Sequence, residues 1–169
     1  MANLVIYSDF AAYREISVNV DSAKRIDPYV VEAQELDLRP FLGDVFYQEI
    51  LSSPSTYATL LDGGTYAYGD YNYTFKGLKA ALVYLSYARF VNNDDVKSTP
   101  AGLKRKITNE SEFLSEKTLA RIVANAREIA AAYLDQCKTF LCRNSTTAIY
   151  TNYGGHDKQN SKSVIITAV

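Results

Sequence analysis

One uninterrupted three–four repeat near the end of this chain constrains its fold more than anything else. Leu119, Ile122, Val123, Ala126, Ile129, Ala130, Tyr133, Cys137, Phe140 and Leu141 recur at the spacing that collects residues on one side of an α-helix. Ser115 stands where an N-cap is needed, so the pattern predicts a helix over 115–142. At 1.5 Å per residue it is about 40 Å long. That outruns the core that residues 27–92 can build, so one end is expected to project or to meet another subunit.

The rest of the chain reads as shorter elements around this rod. Ile16, Val18 and Val20 alternate with polar residues, which suits a short strand. Asp27-Pro28 is a helix start, an N-cap followed by proline at the first helical position. The helix it opens should stop at 37–40, because the residue before Pro40 is pushed away from helical geometry. A second helix follows over 40–51, with Phe41, Leu42, Val45, Phe46 and Ile50 as its apolar stripe. Ser52-Ser53-Pro54-Ser55 breaks the chain, residues 57–61 fit one turn of helix, and Gly63 ends it. A third helix, 75–92, is apolar on more than one side, so it is central to its domain or shared with a neighbour. The fold class is therefore mainly α: a small bundle of about four helices with long extended loops, a Tyr-rich hairpin and short terminal strands. The parts are an N-terminal arm (1–26), helices with a Tyr-rich loop (27–92), an extended stretch (93–114) and the long helix (115–142). Together these make one helical domain, 1–142, followed by an extended C-terminal tail, 143–169.

Half of the fourteen tyrosines fall between residues 57 and 87. Four of them, Tyr66, Tyr68, Tyr71 and Tyr73, lie in a polar run with little else apolar around them. Thr65 to Tyr73 reads as a hairpin or an ordered loop, and Gly69-Asp70 fits the two-residue turn of the hairpin. A core does not need tyrosine in a loop; a contact surface does, because the ring carries large area and a hydroxyl at low rotamer cost. These four are candidate interface residues. In the tail, the run Val164, Ile165 and Ile166 has strand composition and no evident partner in a helical domain, so it is expected either to augment a sheet made with residues 16–20 or to pair with another molecule.

Chemistry is thinly represented. The only histidine, His156, stands beside Asp157 in the tail, and no second histidine accompanies it. Gly63-Gly64 lacks the lysine and hydroxyl residue of a phosphate loop, and there is no Gly-x-Ser-x-Gly elbow. Asp62-Gly63-Gly64 and Asn93-Asp94-Asp95 lack the ligand spacing of a calcium loop. Glu32 and Glu35 share a helix face, where carboxylates are usually only solvated. Cys137 and Cys142 are five apart on one helix, about 140° around it, so they read as reduced thiols and not as a disulfide. No apolar run reaches the roughly 20 residues of a membrane helix, and Met1 to Phe10 does not read as a secretory signal. No enzyme activity, cofactor, metal or membrane is expected.

Charge is patterned although the net charge is only −1. Lys97, Lys104, Arg105 and Lys106 give residues 97–106 four cations and no acid, whereas residues 21–50 hold seven acids against three bases. A basic arm and an acidic face on one chain can meet between identical subunits, head to tail, as in a ring. The alternative function is a nucleic-acid-binding module that contacts packaged DNA through the same basic stretch. The Tyr-rich loop does not add to that alternative, since residues 57–75 contain no cation to follow a phosphate backbone.

The order of parts carries a resemblance. Ala33-Gln34-Glu35-Leu36-Asp37-Leu38-Arg39 runs into Phe41-Leu42-Gly43. Phe75-Lys76-Gly77-Leu78-Lys79-Ala80-Ala81-Leu82 is followed by Tyr87-Ala88-Arg89-Phe90, and Thr99-Pro100-Ala101-Gly102-Leu103 precedes the long helix. Over residues 25–142 this resembles the head–tail connector (adaptor, or head-completion) proteins of tailed bacteriophages, in the version found in crAss-like phages. The resemblance implies a structural virion protein, assembled in the host cytoplasm. It implies a homo-oligomeric ring of twelve copies at the virion neck, with the portal protein on one side and a tail or second ring protein on the other. It also implies that residues 96–107 reach a neighbouring subunit or the portal. Nucleic acid is not an expected partner of such a ring.

Overall fold

A 17-residue helix that is buried nearly all round sets the frame of the computed structural model. The structure describes residues 3–14, 25–93, 96–99, 102–105 and 115–154, the two four-residue stretches by their backbone. In chain order the elements are α1 (Tyr7–Phe10), α2 (Asp27–Ala33), a π-helical stretch (Gln34–Leu38), α3 (Arg39–Leu42) and α4 (Asp44–Ser52). A 3-10 turn (Pro54–Tyr57), α5 (Ala58–Asp62), β1 (Gly64–Tyr68), β2 (Tyr71–Phe75) and α6 (Gly77–Asn93) follow. The series closes with β3 (Val96–Thr99), β4 (Gly102–Arg105), α7 (Glu116–Arg143) and a 3-10 turn (Ala148–Tyr150). The protein is mainly helical.

Helix α6 is the central element. Leu78, Ala80, Ala81, Leu82, Val83, Tyr84, Ser86 and Ala88 are all buried on it, so its wide apolar surface is used on several sides. It packs against α1, α2, α5 and, most extensively, α7. The Lys76 backbone N–H meets Gln136 Oε1, and Ala88 packs with Ala126 and Ala130, so α6 and α7 run antiparallel. Alanines at the crossing let the two backbones approach closely. Ser115 accepts a hydrogen bond from the Thr118 N–H and starts α7 as an N-cap should. The buried residues of α7 are Ala126, Ala130, Cys137, Phe140 and Leu141. Among the described residues its first turns therefore lie outside the core, in keeping with a helix longer than its domain. Both cysteines are free thiols.

Three expectations need correction. The chain does not break at 37–40. Helix α2 passes through the π turn, whose end is marked by the Arg39 N–H reaching Gln34 O, into α3, and Arg39 keeps helical angles (φ −58, ψ −47) before Pro40. A π turn already interrupts the ordinary ladder, so a proline lacking its N–H is accommodated just after it. The break falls instead at Gly43 (φ 84), between α3 and α4. Second, Val45 is not in the apolar stripe; it is 65% exposed, and Tyr47 takes the inner position beside Phe46 and Ile50. Third, the N-terminal arm and the start of the tail are core. Leu4, Val5 and Phe10 are buried, and the Leu4 N–H donates to buried Gln34 Oε1 at 2.7 Å.

Beyond Arg143 the chain folds back instead of extending. Tyr150 packs against Phe140 (5.3 Å between ring centroids), and Tyr153 against Phe41 and Phe46 (6.0 Å each). Burial holds the Tyr153 phenol neutral, its pKa pushed up to about 12. Two rings three residues apart anchor a segment whose other residues are mostly polar. The strand expected over Ile16 to Val20, His156, and Val164, Ile165 and Ile166 lie outside the described residues.

Candidate interaction surface

The Tyr-rich run forms the expected hairpin. β1 and β2 are antiparallel, with Tyr66 opposite Tyr73 and Tyr68 opposite Tyr71 around the Gly69-Asp70 turn. Two glycines close its base. A Cβ on Gly77 would lie 2.3 Å from Gly63 N, and one on Gly63 would lie 2.5 Å from the Phe75 carbonyl oxygen. The last turn of α5 and the first of α6 thus touch through bare backbone, and the ribbon issues from that contact.

The four tyrosines do not act alike. Tyr66 and Tyr73 are half-buried and stack with each other at 5.8 Å. Tyr66 also meets Phe140 edge-on at 5.0 Å, and Phe75 stacks on Phe140 at 4.4 Å. One side of the ribbon is therefore fixed to its own long helix, which corrects the expectation that all four rings are free for partners. Arg143, in the last turn of α7, completes the attachment. Its Nη1 donates to the Tyr66 hydroxyl at 3.0 Å, and its guanidinium lies 4.0 Å from the Tyr73 ring centroid and 4.8 Å from that of Tyr68. The hydrogen bond to Tyr66 is the main reason its pKa is raised. A cation among tyrosine faces adds electrostatic attraction to the contact. Arg143 was not singled out from the sequence, where it is only a basic residue at a helix end. At the ribbon's tip Tyr68 and Tyr71 remain 49% and 71% exposed. These two keep the character of contact residues.

The basic stretch is not a plain extended arm. β3 and β4 form a second antiparallel ribbon, in which Val96 is opposite Arg105, Lys97 opposite Lys104, Ser98 opposite Leu103 and Thr99 opposite Gly102. Three of the four candidate cations are in paired strands, two as direct cross-strand partners. Lys106 lies outside the described residues. Among the described residues the substantial contacts of β3 and β4 are with each other.

The acidic face is partly occupied by its own chain. Asp37 takes a bidentate pair from Arg89 (2.9 and 3.0 Å), and Glu32 lies 3.7 Å from the same guanidinium. Glu35 accepts from Arg39 (3.0 Å) and from the Tyr47 hydroxyl (2.9 Å); these bonds, Arg39 first, hold its carboxyl below the usual carboxylate range. Burial, with the Glu35 bond second, pushes Tyr47 up to about 12. Arg39 also bonds Asp44 at 2.7 Å, and Asp62 pairs with Lys79 at 2.6 Å. Glu49 accepts from the Tyr57 hydroxyl and from Asn152 but meets no cation among the described residues. No three metal-ligating side chains converge among the described residues. No described helix is long and apolar enough to cross a membrane.

No curated protein and no solved structure is significantly similar to this chain. A family model does match, over residues 38–163, a span that takes in both ribbons and the long helix. The chain belongs to that family, DUF6712, a family of unknown function.

Proposed function

We propose that this chain is a structural virion protein that forms a homo-oligomeric ring at the neck of a tailed phage, between the portal and the tail. The observation that supports the reading is the placement of the two ribbons. One ends at Phe75, immediately before α6, and the other begins at Val96, just after it. They leave from opposite ends of a rod about 26 Å long. A subunit that must touch one partner above and another below, or two neighbours around a ring, is served by ribbons so separated. The exposed Tyr68 and Tyr71 at one ribbon tip have the residue type that carries contact energy in protein interfaces. The element order shared with phage connector proteins favours the neck as the place. Imaging of phage particles that carry the protein tests this: density for the helical body between portal and tail is expected, and its absence from purified virions refutes the reading.

One observation favours a second reading. A two-stranded ribbon fits the major groove of DNA, and the β3–β4 register pairs Lys97 with Lys104. In this reading the protein touches packaged DNA. Retention on DNA that falls steeply with salt, and that is lost when Lys97, Lys104 and Arg105 are replaced by alanine, distinguishes it from the first.

A further inference from the structure

The β1–β2 ribbon stops at two strands, so each strand keeps one edge of unpaired backbone. Its two-residue turn makes Tyr68–Tyr71 a hydrogen-bonded pair, and the register repeats this at Tyr66–Tyr73 and Gly64–Phe75. Asn72 and Thr74 therefore turn their N–H and C=O groups outward from β2, and no other described backbone group takes them up. Such an edge is a template for a further strand. Beyond it lies an open cleft of about 310 Å³, between Tyr73–Phe75 and the outer side of α7. On the helix side Ala132, Gln136 and Thr139 make its floor, all three exposed. The short side chains of Ala132 and Thr139 leave room above the helix. Of the two strands, β2 makes the substantial contacts with α7, so a strand laid about 4.8 Å beyond β2 comes down on this floor.

The two ends of the cleft differ in charge. Asp135 lines it at the base of the ribbon, beside Gln136, whose Oε1 accepts from the Lys76 N–H at 3.3 Å. Arg143 lines it at the other end. Among the described residues Asp135 meets no cation and Arg143 no carboxylate. Arg143 has only the Tyr66 hydroxyl and tyrosine faces. From position 135 to position 143 the helix rises about 12 Å, which is the span of about four residues of extended chain. Residues four apart in a strand point to the same face. We propose that an extended segment of a partner polypeptide enters this cleft and adds to β2 as a third strand, with one acidic and one basic side chain, four residues apart, reaching Arg143 and Asp135. Strand addition draws affinity from backbone pairing and specificity from alternate side chains. Here the charges select the segment, and a small residue has to stand between them over the floor. The described strands of this chain are already paired in two ribbons, and none carries an acid and a base four apart. The occupant is therefore a different polypeptide. The site goes beyond the neck reading and does not depend on it, since purified chain and peptides decide the one and phage particles the other.

Dye-labelled peptides capped at both ends test it by fluorescence polarisation on the full chain. The probes are Thr-Glu-Val-Thr-Val-Lys-Thr, its charge-reversed form Thr-Lys-Val-Thr-Val-Glu-Thr, and a control with glutamine in place of both charges. One charged order should bind at least about tenfold more tightly than the control. N-methylation separates strand addition from plain charge attraction: on one alternate set of peptide residues it should abolish binding, and on the other set it should leave binding intact. Amide hydrogen exchange followed by NMR should slow at Asn72 and Thr74 when the peptide binds, and not at Thr65 and Ala67. Asp135→Lys, at an exposed position, should weaken binding at least about tenfold, and a probe whose lysine is replaced by glutamate should restore it. Ala132→Trp fills the floor without changing a buried residue and should abolish binding. The N-methylation and exchange measurements use the unaltered chain, so they decide the matter even where a variant fails to fold. Neither order exceeding the control, equal effects of N-methylation on both sets, or protection at Thr65 and Ala67 instead of Asn72 and Thr74 overturns the proposal. Self-association of the chain that Ala132→Trp blocks gives the cleft to a second copy and overturns it as well.

Discussion

Replacing Gly77 by alanine should unfold this protein far more readily than its single methyl group implies. Gly77 has φ +76, where an L side chain is strained by about 1–2 kcal/mol. The added Cβ would also lie 2.3 Å from Gly63 N, 2.5 Å from the Leu61 carbonyl oxygen and 2.7 Å from Asp62 C. All three are backbone atoms, so no rotamer change relieves the contact. The α5–α6 junction has to open, at an overpacking cost of about 1–3 kcal/mol. The sum is about 2–5 kcal/mol, which for a chain of this size lowers Tm by roughly 4–20 °C. Gly69→Ala supplies the control. Gly69 also has positive φ (+59), but nothing lies within 4 Å of its added Cβ. It should lose only the conformational part, roughly 2–8 °C. Thermal melts followed by far-UV circular dichroism measure both. Two variants melting within about 2 °C of each other would refute the argument that backbone closure at the ribbon base, and not the sign of φ, makes Gly77 indispensable.

Tyr68→Ser with Tyr71→Ser should cost no more than about 1 kcal/mol, the exposed contact of Tyr68 with Arg143, and on the neck reading should block incorporation into particles, whereas Tyr66→Ser with Tyr73→Ser should lower Tm further, since those rings pack on Phe140 and Arg143; melting curves alongside a virion-incorporation assay check both halves. The folded pKa of Glu35 lies below its ordinary value of 4.5. The stability it adds is thus complete above the unfolded value and disappears as pH falls through the folded one. Glu35→Gln should lose stability near neutrality and show a shallower decline below about pH 4.5 in urea titrations at stepped pH. Burial pushes the Cys137 thiol up to about 12, while Cys142 is only half-buried and raised less far. Iodoacetamide on the native protein, read by peptide mass spectrometry, should label Cys142 first and leave Cys137 unmodified until unfolding.

Helix α7, its Ser115 cap and the tyrosine hairpin were legible from the residues alone. Each rests on a local rule: a three–four repeat, a hydroxyl one position before a helix, a glycine–aspartate pair between alternating rings. The second ribbon was read as an extended connector because Lys97 to Arg105 lacks the aromatic or β-branched alternation that signals strands; its pairing is a backbone event with little mark in residue type. The break predicted before Pro40 followed a sound local preference, which the π turn at Gln34–Leu38 overrode. The acidic run between residues 21 and 50 was visible as charge, but its pairing of Asp37 with Arg89, 52 positions away, was not.

The sequence by itself determined most of the helical stretches, the glycine turns at Gly63 and Gly69 and which residue types are available for contact, because those properties depend on neighbours within a few positions. Only the tertiary structure decided how those residues are spent. It turned Tyr66 and Tyr73 inward on Arg143 and Phe140, left Tyr68 and Tyr71 outside, and drew Tyr150 and Tyr153 from a polar tail into the core. An aromatic ring is buried or offered to a partner according to what stands opposite it, and what stands opposite is set by chain segments up to about a hundred residues away (Asn152 to Glu49 is one such pair).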